Sequence, residues 1–502
     1  MCHFKVKVPI ETPPGELMNA EHTHQNSPKV RYAVRAWLVC LVIFLVWLVM
    51  TMSGSPSVRP LAGTDNKAGS EHQPSVDTGY VVSNLPAREA LPIPDLPFAN
   101  EAEYVLSGYG LQGMYQNIPG NKAWTLAMPA PKLAAQLVKR GDSPAVITEN
   151  VSISWEMESQ TVLEEGEGHS RKGKMELVPD GLSFVADVPV TAMEADGSLN
   201  PYPVLRIVAH QADSGEQLTA SAAVVAISPG FGCALCHADA EFAVLEAHDR
   251  HQRTKLQEQA RQSGPVNCRS CHNGIQQEGG KTSAGKGLGF SAAIHGWHTQ
   301  YLVNADSSAC LACHIGLGRA NGKPEAAPRP LFARDLHIAK GLNCIDCHGS
   351  LEDHALALLR AEQEAGQKLA TTAMAAITPR AVADAGQINS RLPWTQLPDC
   401  AGCHDFATRP KPGQASAFNK WTENTDGLFS ARAEGTGVLR CPTCHGAPHA
   451  LYPSNNPLGN NRDNMVPIQY QSHASPLGAA GNCALCHMQD MDSSAHHDLV
   501  TQ

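Results

Sequence analysis

The chain has 502 residues, of which 42% are apolar and 17% charged, an ordinary composition for a globular protein. This length allows roughly two to four domains. The formal net charge of -10 argues against nucleic acid as a partner, because phosphate repels an acidic surface, and favours a basic protein partner.

An apolar segment near the N-terminus predicts a membrane segment. Residues 36–52 carry no charge and follow the basic residues Lys29, Arg31 and Arg35. Positive charge stays on the cytoplasmic side of a membrane, so residues 1–35 are expected in the cytoplasm and the rest of the chain outside it. The segment therefore predicts a signal anchor, a transmembrane helix in the inner membrane, or a cleaved signal peptide.

The residues that follow this segment favour the anchor over the cleaved signal peptide. A peptidase site needs small residues in a fixed pattern, and Pro56 crowds the small residues that are present. Residues 53–95 are rich in Ser, Pro, Gly and acidic residues and show no apolar periodicity. We expect them to form a flexible tether between the membrane and the folded part.

Residues 96–228 carry the signals of antiparallel β-structure. Val151–Met157 alternates apolar and polar residues, which is typical of a half-buried strand. Pro179–Gly181 and Asp213–Gly215 indicate turns between such runs. We predict a β-sandwich of immunoglobulin-like or related type, large enough to bury its own core and to fold independently.

The rest of the chain, residues 229–502, repeats one motif, Cys-x-x-Cys-His, seven times. The motifs, numbered 1 to 7 in chain order, are Cys233, Cys236 and His237; Cys268, Cys271 and His272; Cys310, Cys313 and His314; Cys344, Cys347 and His348; Cys400, Cys403 and His404; Cys441, Cys444 and His445; and Cys483, Cys486 and His487. In this motif two thiols form thioethers with haem and the histidine binds its iron. The sequence therefore predicts seven covalent haem c groups.

The chemistry of the motif predicts where the protein is located and bears on the alternative that the motifs bind zinc. Haem c is attached outside the cytoplasm, which agrees with the export segment and predicts a periplasmic or extracellular location. Structural zinc sites also use paired cysteines, but they do not require a histidine directly after every second cysteine. We therefore favour haem over zinc, with short helices and irregular connections around the haems. Leu356–Ala376 is the best helix candidate on propensity.

Further histidines can complete the coordination of the irons. The candidates flank the motifs: His248, His251, His295, His298, His337, His354, His449, His473, His496 and His497. The pairs His248-x-x-His251 and His295-x-x-His298 have a spacing that places both imidazoles on one helix face. With more candidates than haems, we expect ligation by two histidines at each iron, and His496 and His497 have the weakest case. Methionine is the competing ligand, with Met465, Met488 and Met491 as candidates.

The pattern resembles the multihaem cytochromes c of bacterial respiration and extracellular electron transfer. Ile294–His298 is similar to the distal His-x-x-His element of metal-reducing cytochromes of the outer cell surface, which also combine haem domains with β-domains. Leu336–His354 and Cys444–His449 resemble units that are common in that superfamily. The resemblance covers residues 229–502 and implies a heptahaem electron-transfer protein, with anaerobic respiration as its setting.

The chain also departs from individual families within that superfamily. The surface cytochromes usually carry ten haems and a lipid anchor, neither of which the sequence shows. Tetrahaem quinol dehydrogenases have their haem motifs close behind the anchor, whereas a tether and a β-domain intervene here. The Cys-x-x-Cys-Lys motif of pentahaem nitrite reductases does not occur.

Three functions are compatible with these features. We expect an electron carrier, rather than a catalyst, that passes electrons between a respiratory donor and a terminal acceptor, both redox partner proteins. The first alternative is a reductase of a small nitrogen or sulfur compound with one open iron. The second is a cytochrome that polymerises into a homo-oligomer or filament. The supply of histidines favours the electron carrier.

Overall fold

The computed structural model describes most of the chain after residue 91. The described residues are 92–116, 121–126, 128–157, 161–163, 170–179, 181–228, 230–233, 236–237, 241–278, 281–302, 306–314, 316–320, 323–330, 334–404, 416–422, 439–479 and 482–488. All of them belong to one compact unit. Within them no helix is both long enough and apolar enough to cross a membrane. The expected anchor at residues 36–52, the segment 1–35 and most of the tether lie outside the described residues.

The first half of the described chain consists mainly of antiparallel sheets. In chain order the strands are β1 (Tyr104–Gly110), β2 (Tyr115–Gln116), β3 (Trp124–Thr125), β4 (Lys132–Lys139), β5 (Ala145–Val146), β6 (Val151–Met157), β7 (Thr161–Leu163), β8 (Lys172–Lys174), β9 (Glu176–Leu177), β10 (Phe184–Asp187), β11 (Val190–Glu194), β12 (Val204–Gln211), β13 (Gln217–Val224) and β14 (Ile227–Ser228). One sheet has the order β1-β4-β10-β9, with β5 beside β4, and a second has the order β13-β12-β6-β8. Strands β2 and β14 are paired in parallel.

The two sheets share one hydrophobic core. Leu106 and Leu137 of the first sheet belong to the same buried cluster as Ile153 and Ile207 of the second. A Cβ on Gly108 of β1 would overlap Cδ1 of Ile207, so glycine is needed where the two sheets approach each other. The alternation read from the sequence produces this core, because every second side chain of a strand points inward.

The expectation of antiparallel β-structure is confirmed. The strand predicted at Val151–Met157 is β6, with Ile153, Trp155 and Met157 buried. The hairpin predicted around Asp213–Gly215 joins β12 to β13, which pair along their whole length. Gly215 has a φ of 73°, a conformation that favours glycine at this turn.

Short helices and two small ladders make up the second half. In chain order the helices are α1 (Phe242–Gln252), α2 (Leu256–Ser263), α3 (Phe290–His298), α4 (Ser308–Leu311), α5 (Leu336–Ala339), α6 (Cys344–His348), α7 (Leu351–Glu364), α8 (Lys368–Met374), α9 (Cys441–His445) and α10 (Met465–Gln471). The strands are β15 (Val266–Asn267), β16 (Ile275–Glu278), β17 (Lys281–Ala284), β18 (Gly316–Ala320) and β19 (Lys323–Pro330). β16 pairs with β17 and β18 with β19, while β15 pairs with β3 of the first half.

The single helix predicted over Leu356–Ala376 is wrong in its extent. The structure has two helices there, α7 and α8, of which α7 begins five residues earlier, after Ser350, whose side chain accepts a hydrogen bond from the amide of Asp353. Gly366 separates the two helices with a φ of 93°. Such a left-handed glycine ends a helix at little cost, and the propensity of the surrounding Ala, Leu and Glu residues concealed it.

The two halves pack directly on each other. Leu458 and Met465 from the second half lie in the core between the sheets. The amide of Leu106 donates a buried hydrogen bond of 2.9 Å to the hydroxyl of Tyr470 in α10. Arg462, which is 1% exposed, donates from Nε to the carbonyl of Tyr202 at 2.8 Å. The core of the β-structure is therefore completed by the C-terminal part of the chain.

Candidate haem-binding site

All seven motifs fold as one helical turn. In motifs 4 and 6 the turn is a helix, α6 and α9. In the other five, the histidine amide donates to the carbonyl of the first cysteine, at 2.8–3.0 Å: His237, His272, His314, His404 and His487. A helical turn brings side chains three residues apart to one side, so both thiols of a motif can reach one ligand.

The seven motifs contact one another in a row. Motifs 1, 2 and 3 are neighbours at one end of it. The thiol of Cys268 in motif 2 lies within electrostatic reach of Cys233 in motif 1. The thiol of Cys313 in motif 3 is likewise close to Cys233. The amide of Gly232, just before motif 1, donates to the carbonyl of Cys313 at 3.0 Å. Motif 1 therefore lies between motifs 2 and 3.

The row continues from motif 3 through motif 5. The thiols of Cys310 in motif 3 and Cys344 in motif 4 lie close enough to shift each other's pKa, upward for Cys310 and downward for Cys344. Cys347 of motif 4 and Cys403 of motif 5 interact electrostatically. Burial raises the pKa of the Cys347 thiol to about 12, so it stays protonated at neutral pH. Motif 4 therefore joins motifs 3 and 5.

Motifs 6 and 7 complete the row. The thiol of Cys441 in motif 6 lies close enough to Cys400 in motif 5 to raise the pKa of the Cys400 thiol. Cys486 of motif 7 packs against a buried cluster that includes Tyr452, and the amide of Tyr452 donates to the carbonyl of His445 in motif 6 at 2.8 Å. The contacts between motifs thus run in the order 2, 1, 3, 4, 5, 6, 7.

Within the described residues, four motif histidines face a second imidazole at nearly the same distance. The ring centroids are 6.1–6.2 Å apart in each pair, and the pairs are His272 with His248, His314 with His295, His404 with His337, and His348 with His449. The angle between ring planes varies from 17° to 81°. All four second histidines are candidates named from the sequence.

This distance fits two imidazoles that bind one metal ion from opposite sides. A metal–nitrogen bond to histidine is about 2.0–2.1 Å, and the nitrogen lies roughly 1.2 Å from the ring centre, so opposed centroids are roughly 6.4 Å apart. The ring planes are free to rotate about the metal–nitrogen bonds, so the varied plane angles fit the same arrangement. The four pairs therefore have the spacing of two imidazoles that share one metal ion.

Hydrogen bonds of the second ring nitrogen support the same arrangement. The Nδ1–H groups of His272, His295 and His298 donate to the backbone carbonyls of Leu288, Ser291 and Ile294, at 3.1, 2.8 and 2.7 Å. A carbonyl can only accept, so Nδ1 carries the proton and Nε2 keeps its lone pair. Histidines that bind metals usually make this bond, which fixes the ring orientation.

Burial keeps the central histidines neutral. It lowers the pKa of His295 to about 4 and that of His314 to about 3. It lowers the pKa of His449 to about 4, and those of His348 and His354 well below the usual range. The neutral imidazole is the form that binds a metal, so these side chains can act as ligands at neutral pH.

His354 links two of the pairs. Its ring centroid lies 4.6 Å from that of His295 and 5.9 Å from that of His348. Its Nδ1 is buried and has no hydrogen-bond partner within the described residues. A buried ring nitrogen without a partner costs free energy, so a ligand bound at Nδ1 of His354 would offset that cost.

The remaining candidates have different surroundings. His251 is exposed and its ring lies 5.1 Å from that of Trp297, a contact that needs no iron. His473 is exposed beside the side-chain amide of Gln471. Without His251, the described candidates are seven: His248, His295, His298, His337, His354, His449 and His473. His496 and His497 lie outside the described residues.

The methionines that compete as ligands are placed elsewhere. Met465 is buried in the core between the sheets, away from the motif histidines. Met488 is 69% exposed, and Met491 lies outside the described residues. In the described part of the chain, no group of three or more His, Cys, Asp or Glu side chains is placed to hold a metal ion. A structural zinc site needs four such ligands, whereas haem iron takes only two from the protein.

Sequence reasoning missed Arg391, whose guanidinium lies among these histidines. It interacts electrostatically with His295, His348, His354 and His449. No local motif surrounds this arginine, so nothing in the sequence distinguished it from a surface residue.

Comparison with known proteins gave no match, since neither a protein-family model nor a curated protein matches this chain.

Proposed function

We propose that this chain is a heptahaem cytochrome c that conducts electrons between a respiratory donor and a terminal acceptor. The observation that carries the proposal is the set of four histidine pairs at 6.1–6.2 Å, each with one member from a Cys-x-x-Cys-His motif. Haem c, when bound, supplies an iron that alternates between the ferric and ferrous states. The cysteines would attach the haems covalently.

The row of motifs supports a conduit. Adjacent motifs touch through thiols or backbone hydrogen bonds, as Cys310 and Cys344 do, so groups attached to them would be held close together. The order of contacts gives a route whose ends are motifs 2 and 7. The protein fixes the spacing along this route, and paired histidines would saturate each iron and exclude small substrates.

The location and the β-structure complete the proposal. Residues 36–52 would anchor the protein in the inner membrane, with the folded part on the periplasmic side. The two sheets would form a β-sandwich that supports the haem-binding half. The net charge of -10 would favour basic redox partners.

The test is to count haems and inspect their spin state. Protein produced in a host that matures cytochromes c should carry seven covalent haems by intact mass and by a haemochrome assay. The oxidised protein should show only low-spin ferric signals in electron paramagnetic resonance. Four or fewer haems would contradict the cytochrome assignment. A native high-spin haem that binds nitrite or carbon monoxide would contradict the conduit and favour a reductase.

A further inference from the structure

Arg391 is a buried cation for which the described residues provide no carboxylate partner. Its side chain is 9% exposed, and Nε donates to the carbonyl of Gln396 at 3.1 Å. The guanidinium lies 5.3 Å from the ring centre of Trp421. Within the described residues no carboxylate pairs with it, and burial alone lowers its pKa to about 10. The side chain is therefore charged at neutral pH.

Two of the other buried arginines, Arg334 and Arg462, have the carboxylate partner that Arg391 lacks among the described residues. Arg334 is 3% exposed and binds Asp463 through Nε at 2.8 Å. Arg462 is 1% exposed and interacts favourably with Asp463 and Glu194. A buried charge without a partner costs several kcal/mol, so buried arginines normally have such a carboxylate. Arg391 departs from this pattern.

Two carboxylates at the start of the neighbouring helix α7 bind other groups. Glu352 pairs with Arg380 at 2.7 Å. Asp353 accepts hydrogen bonds from the amides of Arg380 and Ala381 and from the hydroxyl of Ser350. Among the described residues, no carboxylate is recorded as a partner of Arg391, so its counter-charge is open to a group from outside them.

We propose that Arg391 binds a carboxylate of the cofactor, a propionate of one of the haems held by the histidine cluster. The inference rests on the proposed function. Arg391 acts electrostatically on four of the proposed axial ligands, so the haems that these ligands hold would lie beside the guanidinium. A guanidinium matches a carboxylate with two parallel hydrogen bonds. A propionate of a covalently attached haem would stay in place. It could therefore balance the buried guanidinium at all times.

The same chemistry would serve a soluble oxyanion such as nitrite, and the test separates the two sources. The variants are Arg391→Leu, Arg391→Lys and, as control, Arg360→Leu. Arg360 lies on α7 and already has a carboxylate partner in Glu364 at 3.2 Å. Haem content is measured by intact mass, the potentials by spectroelectrochemistry, and anion binding by titration with nitrite.

In Arg391→Leu, one haem should become harder to reduce, because a propionate left without its cation favours ferric iron. We expect about a tenfold shift of that reduction equilibrium, which is about 59 mV for one electron. Arg391→Lys should shift it less, and Arg360→Leu should leave all potentials unchanged. Every variant should keep seven haems, since attachment depends on the cysteines.

Three outcomes would overturn the propionate site. Potentials in Arg391→Leu equal to those of Arg360→Leu would show a structural role only. A spectral response of the native protein to nitrite that is lost in Arg391→Leu would show a soluble anion. The third is a crystal structure of the haem-loaded native protein in which no propionate oxygen lies within hydrogen-bonding distance of the guanidinium. This measurement does not require the variant to fold. Four or fewer haems in the native protein would instead refute the proposed function.

Discussion

At the scale of single residues, the surroundings of a histidine distinguish its role better than its position in the sequence. His248-x-x-His251 and His295-x-x-His298 have the same spacing, and both lie on helices as predicted, α1 and α3. The rings of His295 and His298 are fixed by carbonyl acceptors, whereas His251 is exposed against Trp297. The spacing alone could not separate these cases.

Replacement of His298 and His251 by alanine tests this distinction. The variant His298→Ala should gain one high-spin ferric haem, because its Nδ1–H bond to Ile294 prepares Nε2 for iron. The matched control His251→Ala should stay low-spin throughout. Electron paramagnetic resonance measures both, and intact mass should give seven haems in each. A high-spin signal in the control, or none in His298→Ala, would reverse the assignment.

Sequence proximity predicted which histidines are candidates but not which motifs they serve. His449 follows motif 6 by four residues, yet its ring faces His348 of motif 4. A φ of 64° at His449 shows why, since the backbone turns there in a way that no residue pattern indicates. The motifs and the alternation of a strand are local patterns in the sequence and were predictable. Pairings across the fold depend on tertiary packing and were not.

At the scale of elements, helix α7 carries His354 on its first turn, and its N-terminus determines where that ring lies. Ser350 caps the helix, and Asp353 accepts hydrogen bonds from two amides of the segment after α8. Asp353 is 1% exposed, so these bonds are shielded from water. The start of the helix and the segment that covers it are thus fixed by one carboxylate.

Asp353→Ala should destabilise the protein. The amides of Arg380 and Ala381 would lose their acceptor, and a buried donor without a partner costs about 1–3 kcal/mol. The melting temperature of the haem-loaded protein should therefore fall. Glu364→Ala is the control on the same helix, because that side chain is 53% exposed and its ion pair contributes little. Equal melting temperatures would show that Asp353 does not fix this region.

At the scale of the whole molecule, the β-structure and the half that carries the Cys-x-x-Cys-His motifs form one folded body. We expected residues 96–228 to fold independently, and that expectation remains a prediction, but Leu458 and Met465 fill part of the core. The periodicity of a strand shows that one face is buried and does not show what covers it. This contribution of distant residues was therefore invisible in the sequence.

Tyr470→Phe tests the contact between the halves. The change removes the hydroxyl that accepts from the amide of Leu106 and leaves a buried N–H group without a partner. The expected loss is about 1–3 kcal/mol of unfolding free energy, measured by chemical denaturation. Tyr301→Phe serves as control because Tyr301 is 56% exposed. If both variants unfold at the same denaturant concentration, the hydrogen bond contributes nothing measurable.

Both ends of the row of motifs are attached to the β-structure. Asn267, directly before motif 2, pairs with Thr125 of β3, and the amide of Gly141, after β4, donates to the carbonyl of Cys486 in motif 7 at 3.0 Å. A protease that cuts the chain once between β14 and motif 1 would therefore break the peptide bond without separating the fragments. On a native sizing column the nicked protein should elute with the intact protein, and only denaturant should divide it into two pieces.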